Sequence, residues 1–345
     1  MQNESKIREN LKFTDIQKLS QPISHKHDEI LTGEIGFYRY RMDKILKEYC
    51  NFPLNKNIHA LFEHGILFTD YCGATYRAHE YLPSIVASKF RVNVLKQQKH
   101  FNGAYTIGPY IHYAKPLLSH EELKIEKERL GKTLLVFPNH SIEGLVSDFN
   151  FESFCDEIKK ISSNYDSVRI CMYYKDVNLK RFEPYQKEGF EVVTAGHFND
   201  YNFTRRLRSI IETSDMTMSN GIGSHLGYCI YLNKPHYLCM LDDVNHIGEK
   251  NGENTELMVK HEQESQERIE KSDNVTKIKQ VFADYNEKIT QDQYEIISYL
   301  WGFDEVKTPK ELNKMFLEIE NNYSSIKYYL SGLIRLKDIF YDKIK

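Results

Sequence analysis

The segment Ser219-Asn220-Gly221-Ile222-Gly223-Ser224-His225 concentrates groups that suit an anion. Gly221 and Gly223 let a backbone come close to a ligand, Ser224 can cap a helix or donate to a phosphate, and a helix starting there would present its positive end. A diphosphate fits such a loop, although a tight turn with an N-cap uses the same residues. The segment matches neither GxGxxG nor the Walker pattern, so neither a dinucleotide nor a triphosphate signature is present. Three other short clusters carry similar chemistry. Asn139, His140 and Ser141, with Glu143 close behind, follow one apolar run; Lys175 follows a second; Gly196 and His197 follow a third. His140 and His197 can hydrogen-bond a phosphate or a base edge, Glu143 can hold sugar hydroxyls, and Lys175 can offset phosphate charge. Each has an ordinary use as well: a satisfied loop histidine, an acid favoured by a helix dipole, a solvated lysine. Near the N-terminus, Glu63 and His64 close a further apolar run, and either could act as a general base on a hydroxyl. The run His25-Lys26-His27-Asp28 is a weak metal signal in a polar segment.

The apolar runs are the elements that must position these groups. Ile58 to Phe62, Ser84 to Ala87 and Ala104 to Ile107 predict short strands in the first half, after a helix from Ile35 to Tyr49. From Lys132 onward, strands at Lys132–Phe137, Val168–Tyr173, Glu191–Thr194, Met216–Met218 and His236–Leu241 alternate with helical patterns. The helices are marked by Phe151, Phe154, Ile158 and Ile161, by Arg181 to Glu188, by Phe203, Leu207, Ile210 and Ile211, and by Ser224 to Leu232. Such alternation predicts a parallel sheet of at least five strands, in which the polar clusters all fall at carboxyl ends of strands, where open sheets bind ligands. The predicted division is an α/β domain over 1–125, a second Rossmann-like domain over 131–250 and a helical tail over 255–345. Thr308, Pro309 and Glu311 predict a helix start in that tail.

Composition sets outer bounds. The 345 residues suffice for two domains, and a formal charge of −3 gives no basic field for nucleic acid. The six cysteines show no CxxC pairing, which suits a reducing cytoplasm. No run reaches the apolar length of a membrane span, and the polar start is unlike a secretory signal. The last helix mixes Tyr328, Tyr329, Leu333, Ile334 and Phe340 with Lys327, Arg335, Lys337 and Lys343, which suits packing on a domain or peripheral attachment at the inner face of a membrane. There is no DxD triplet of the kind that holds a metal-bound diphosphate.

The runs LFEHGIL, SIVASKF, AYTIGPY and KTLLVFPN, with the stretch from Arg205 to Pro235, resemble those of bacterial GT-B glycosyltransferases that build capsule, lipopolysaccharide and teichoic-type polymers. The likeness covers roughly residues 58 to 245. FPNHS departs from the usual opening loop, and an HP pair and the acidic signature of sialic-acid transferases are both missing. The resemblance implies two Rossmann-like domains facing a cleft and metal-independent, inverting transfer of a sugar from a nucleotide-activated donor to a glycan or lipid-linked glycan acceptor. It implies no cofactor. The donor would lie on Asn139, His140, Ser141, Glu143, Lys175, Gly196, His197, Ser219, Asn220, Gly221, Gly223, Ser224 and His225, with His64 or Glu63 as base. A nucleotide-sugar epimerase or hydrolase of the same architecture, or a non-catalytic envelope-assembly scaffold, would share most of these features.

Overall fold

A computed structural model of the chain describes residues 8–23, 32–72, 76, 78–79, 81–98, 101–142, 144–241, 244–248, 259–260, 264 and 267–323. The chain divides into two compact units, Lys26–Tyr113 with Tyr299–Lys345 and Met1–His25 with Ala114–Ser298. Each is built on a parallel sheet, so the α/β class and the Rossmann-like organisation expected from the alternating pattern hold.

In the smaller unit, β1 (Glu34–Ile35), β2 (Ala60–Phe62), β3 (Ser84–Val86) and β4 (Ala104–Thr106) pair in parallel in that order. Ile35, Leu61, Phe62, Ile85 and Val86 are all buried, as expected of parallel strands covered on both faces. Strand β1 falls where the sequence predicts the start of a helix. Gly36 ends it at φ 78, where any side chain would run into the Phe62 carbonyl oxygen, and the helix forms only at Met42–Tyr49.

The tail does not stand apart. The helix Pro309–Tyr323 starts with a reciprocal cap, Glu311 N donating to Thr308 Oγ1 (3.3 Å) and Thr308 N to Glu311 Oε2 (2.8 Å). It is fastened to the smaller unit by Asn313 Nδ2 donating to Cys50 O (3.0 Å) and by the His59 backbone N donating to Glu320 Oε1 (2.8 Å). Phe316 packs edge-on against Phe52. A division in chain order also fails at the other end. Thr194 N donates to Phe13 O (3.1 Å), and Ile16 sits in the core with Leu134, Ile158 and Met216, which joins residues 8–23 to the larger unit. The final helix expected over 324–345 and the His25 to Asp28 run lie outside the described residues. Among the described residues, no helix is long and apolar enough to cross a membrane.

The larger unit holds β5 (Thr133–Phe137), β7 (Ser167–Cys171), β8 (Glu191–Val193), β9 (Met216–Ser219) and β10 (His236–Leu238), all parallel, in the order β10-β9-β5-β7-β8. The chain builds outward from β5 through β7 to β8, then returns to the other side of β5 with β9 and β10. The connections part between β5 and β9, which makes that point the topological switch of the sheet. The helix Phe151–Ser162 buries Phe154, Cys155, Ile158 and Ile161 against Leu134, Val136 and Ile170. A further pair, β6 (Leu145–Asp148) and β11 (Asn245–Gly248), runs antiparallel beside the β5 loop and is not apparent from the sequence pattern.

Gly302 tests the assignment of residues 299–323. It lies at φ 70, and a side chain there would strike the backbone of Ala87 and Ser88 at the end of β3. Gly302→Ala is expected to cost about 2–4 kcal/mol in urea unfolding, from left-handed strain plus displaced backbone. Gly189→Ala, at φ 83 with open space around it, should cost only the strain, about 1 kcal/mol. Equal losses would show that residue 302 does not rest on the end of β3.

Candidate functional site

The described residues among those singled out in the larger unit lie at carboxyl ends of its strands, but they fall into three groups with different surroundings. The first sits at the switch point. Asn139 N, just after β5, donates to Asn220 Oδ1 (2.6 Å), just after β9, and Asn139 Nδ2 donates to Ser147 Oγ on β6 (3.1 Å). Gly221 lies so near that a side chain on it would meet Asn139 Oδ1 at 3.0 Å. Ser219 Oγ donates to Gly221 O (2.8 Å) and so holds the loop at its base. The helix Ser224–Tyr231 then begins from Gly223 with no side-chain cap, and Leu226 N donates to Gly223 O (3.1 Å).

Two polar atoms here are buried without a protein partner, Asn220 Nδ2 and His225 Nε2. Asn220 is only 4% exposed, so a stray solvent contact does not satisfy it. The His225 ring stacks on Phe137, with centroids 4.9 Å apart, and burial pushes its pKa down to about 3, with His140 a lesser cause. It is a neutral imidazole, able to donate or accept.

The second group lies after β5 and β7. Ser141 is fully buried and committed to Asp176, with Oγ donating to Oδ1 (2.6 Å) and N to Oδ2 (3.0 Å), while Ser147 N donates back to Ser141 Oγ (3.0 Å). Lys175 Nζ donates to Ile142 O (2.6 Å). The His140 ring lies 4.6 Å from Tyr173, and His246 Nε2 is 3.0 Å from His140 O. Although part of the His140 ring meets solvent, desolvation by its surroundings lowers its pKa; His246 acts in the same direction, and Ser141 and Asp176 oppose it. Glu143 lies outside the described residues.

The third group, Gly196 and His197, is occupied by the chain itself. A side chain on Gly196 would meet Arg206 Nη1 at 2.9 Å and Leu19 O at 3.1 Å, and His197 N donates to Leu19 O (2.9 Å). His197 Nδ1 accepts from Asn199 N (3.1 Å), and its ring packs on Tyr174 and Phe198. Burial first, and the Arg8 cation second, hold its pKa at about 4. These two residues therefore have a packing role that their sequence context does not reveal, because the N-terminal segment that fills the space lies far off in sequence.

In the smaller unit, Glu63 and His64 follow β2 but point to different uses. Glu63 is buried and paired with Arg91, Nε to Oε2 at 2.9 Å, and also accepts from the Tyr76 hydroxyl. Desolvation raises its pKa against the opposing pull of Arg91. Arg91 Nη1 further donates to Thr69 O (2.9 Å), so this carboxylate pins the loop that follows β2. His64 is exposed on one side, yet its surroundings desolvate it and Arg39 repels its cation, which brings its pKa to about 4.

Sequence reasoning missed Asp176 and His236. Asp176 stands beside Lys175, directly after a strand, and that position was the available signal. His236 breaks an otherwise apolar strand, HYLCML, which marks it as a buried polar group needing partners. Among the described residues, no group of three or more His, Cys, Asp and Glu side chains is placed to hold a metal ion.

No family model and no curated protein matches the chain. Among solved structures, the wall teichoic acid polymerase TagF is similar at 14% identity over 78% of this chain and 68% of that one, with a TM-score of 0.41. The UDP-GlcNAc 2-epimerase of Methanocaldococcus jannaschii is similar at 11% identity over 90% of this chain and 88% of that one, with a TM-score of 0.34.

The depressed histidines have a measurable consequence. His197 and His225 have folded pKa values near 4 and 3 against an ordinary 6.5, so below that value the unfolded chain binds protons that the folded chain refuses. Stability from these groups is therefore full above the ordinary pKa and is lost as pH falls through the window beneath it. Unfolding free energy should drop by about 2 kcal/mol or more between about pH 7 and about pH 5. His197→Gln should flatten part of that slope in urea titrations, and a level profile in the parent protein would contradict the burial of neutral rings.

Proposed function

We propose that the chain is a glycosyltransferase that binds a nucleotide-activated sugar at the β5–β9 switch point and transfers the sugar to a glycan or lipid-linked glycan, without a metal ion. One observation carries this reading: at the start of the helix Ser224–Tyr231, which has no side-chain cap, Asn220 Nδ2 and His225 Nε2 are buried and unpartnered. An apolar ligand would leave both unsatisfied, whereas phosphoryl oxygens can accept from both. Neutral imidazoles suit this use, because they supply hydrogen bonds without the cost of burying a charge.

The leaving group in such a transfer is the nucleotide phosphate. Its developing negative charge would be stabilised by the helix end and the Asn220 carboxamide. Attack by an acceptor hydroxyl needs a base. We assign that role to His64, because Glu63 is committed to Arg91 and Tyr76, while the His64 ring is neutral and partly open to solvent.

Donor binding is tested by a thermal-shift screen against CMP, CDP, UDP, GDP and their sugar conjugates. At a ligand concentration about a hundredfold above Kd, binding adds about 2.7 kcal/mol to stability. Gly223 has extended backbone, φ −151 and ψ −177, which valine adopts freely, so Gly223→Val should fold. Its side chain would crowd the His225 ring, whose Nδ1 lies 2.9 Å from the Cβ position, and the shift should vanish. A nucleotide shift that survives in this variant moves the site elsewhere, and no shift with any nucleotide removes the proposal. Release of free nucleotide that does not depend on acceptor would favour a hydrolase.

Catalysis is tested separately. His64→Ala should lower turnover by about 10²–10⁴-fold with donor affinity nearly unchanged. The base must be neutral to act, so kcat/KM should hold as pH falls through the ordinary 6.5 and decline only near about 4. Normal turnover in His64→Ala, or an acid limb at the ordinary histidine value, would take the role from His64.

A further inference from the structure

His236 opens β10 directly beneath the glycine-containing loop, 1% exposed, and the chemistry proposed above does not use it. Both of its ring nitrogens are engaged: Nδ1 lies 2.8 Å from Thr217 Oγ1 and Nε2 lies 2.9 Å from Ser219 Oγ. Each hydroxyl also reaches a carbonyl, Thr217 to Pro235 O at 2.8 Å and Ser219 to Gly221 O at 2.8 Å. Burial drives the ring pKa far below the ordinary value, with His225 a lesser cause, so the imidazole is neutral and carries a single N–H.

The protons in this row can be counted. Four links run from Pro235 O through Thr217, His236 and Ser219 to Gly221 O, and two hydroxyls plus one N–H supply three protons. One link must go without a proton. If Nδ1 holds the ring proton, Ser219 has to give its own proton to Nε2, and Gly221 O loses the Ser219 hydrogen bond. If Nε2 holds it, Thr217 gives its proton to Nδ1, and Pro235 O goes without the Thr217 hydroxyl. Pro235 O already accepts from Thr217 N at 2.9 Å, so in that case no carbonyl is orphaned.

We propose that His236 is a positioning residue for the donor loop: as the Nε2–H tautomer it donates to Ser219 Oγ and frees the Ser219 proton to hold Gly221 O. The direction of the row then runs one way, from Thr217 through His236 and Ser219 to the carbonyl of Gly221. It fixes the turn from which Asn220 Nδ2 is offered. This rests on the reading of that turn as a phosphate site, but the tautomer itself does not.

Two measurements test it. Long-range nitrogen–proton correlation spectra of the uniformly ¹⁵N-labelled full chain, without ligand, should show His236 protonated at Nε2 and bare at Nδ1; the opposite tautomer overturns the proposal. Affinity for UDP and for inorganic pyrophosphate is then compared across three variants. The glutamine amide in His236→Gln reaches the Nε2 position and should keep binding within about threefold. His236→Leu supplies no donor and His236→Asn places its amide at the Nδ1 position, so both should weaken binding about tenfold. Equal affinities in the Gln and Leu variants overturn the positioning role. Should a variant fail to fold, the wild-type spectrum still decides the tautomer. If wild-type protein with Nε2–H binds neither probe, the phosphate reading of the loop fails, and the positioning role fails with it.

Discussion

The hydrogen bond from the Asn139 amide to the Asn220 carboxamide spans the place where the connections of the larger sheet part, and the candidate site is arranged around it. Chain leaving β5 and chain leaving β9 diverge there, so the backbone groups at the base of the crevice have no ladder partner on the next strand. A side-chain carbonyl from one loop fills that role for an amide of the other. The consequences spread outward. A side chain on Gly221 would press on Asn139 Oδ1 at 3.0 Å, and Asn139 Nδ2 in turn ties β6 to the rim through Ser147. Because Asn220 Oδ1 is used in this way, its Nδ2 is left over as a buried donor.

Charge is handled at this rim mostly by the backbone. Lys175 is bound to Ile142 O, Asp176 accepts from Ser141 with Arg181 nearby at 3.4 Å, His225 and His236 are held neutral by desolvation, and desolvation lowers the His140 pKa. Among the described residues of this rim, what remains to attract an anion is the end of the helix Ser224–Tyr231, equivalent to about half an elementary charge. Partial charges of this kind are fixed in place and need no reorganisation when a negative group arrives. A flexible lysine in the same position would have to give up its hydration and side-chain entropy on each binding event.

How much of this could be read in advance follows from the range of each interaction. The strands of the larger unit are apolar runs bounded by polar loops, and their alternation with helical spacing fixes a parallel sheet using local information alone. The same holds for the cap at Thr308, which depends on Glu311 three residues later. Contacts between distant segments left little trace. Strand β1 is two residues long and shows only as Glu34–Ile35 ahead of a glycine; β6 gains its identity from a partner about a hundred residues away; and the N-terminal segment carries no sign that Leu19 will lie on Gly196. Among the site residues, sequence identified the loop that holds unsatisfied donors. It could not show that the hydroxyl of Ser141 is spent on Asp176.

Unsatisfied atoms alone do not mark a binding site in this protein. Within residues 8–23, Ser20 Oγ, and beneath them Arg206 Nε, Asn202 Nδ2 and Asn199 Oδ1, are also buried without partners. There the cluster is closed by its own charges: Arg206 is 3.3 Å and Arg8 is 3.9 Å from the single carboxylate of Asp200, while Arg206 Nη1 donates to Ala195 O. Asp200, Asn202 and Arg206 are fully enclosed, and Leu19 covers the glycine that would otherwise admit a ligand. At the β9 loop the arrangement is reversed. Ser219 and Asn220 are enclosed, but each residue from Gly221 to His225 is partly exposed, so a molecule arriving from solvent meets open glycine backbone first and the buried donors behind it. Open glycine backbone in front of unmet hydrogen-bonding capacity separates the second rim from the first, where Asn199 alone of those four residues is partly exposed.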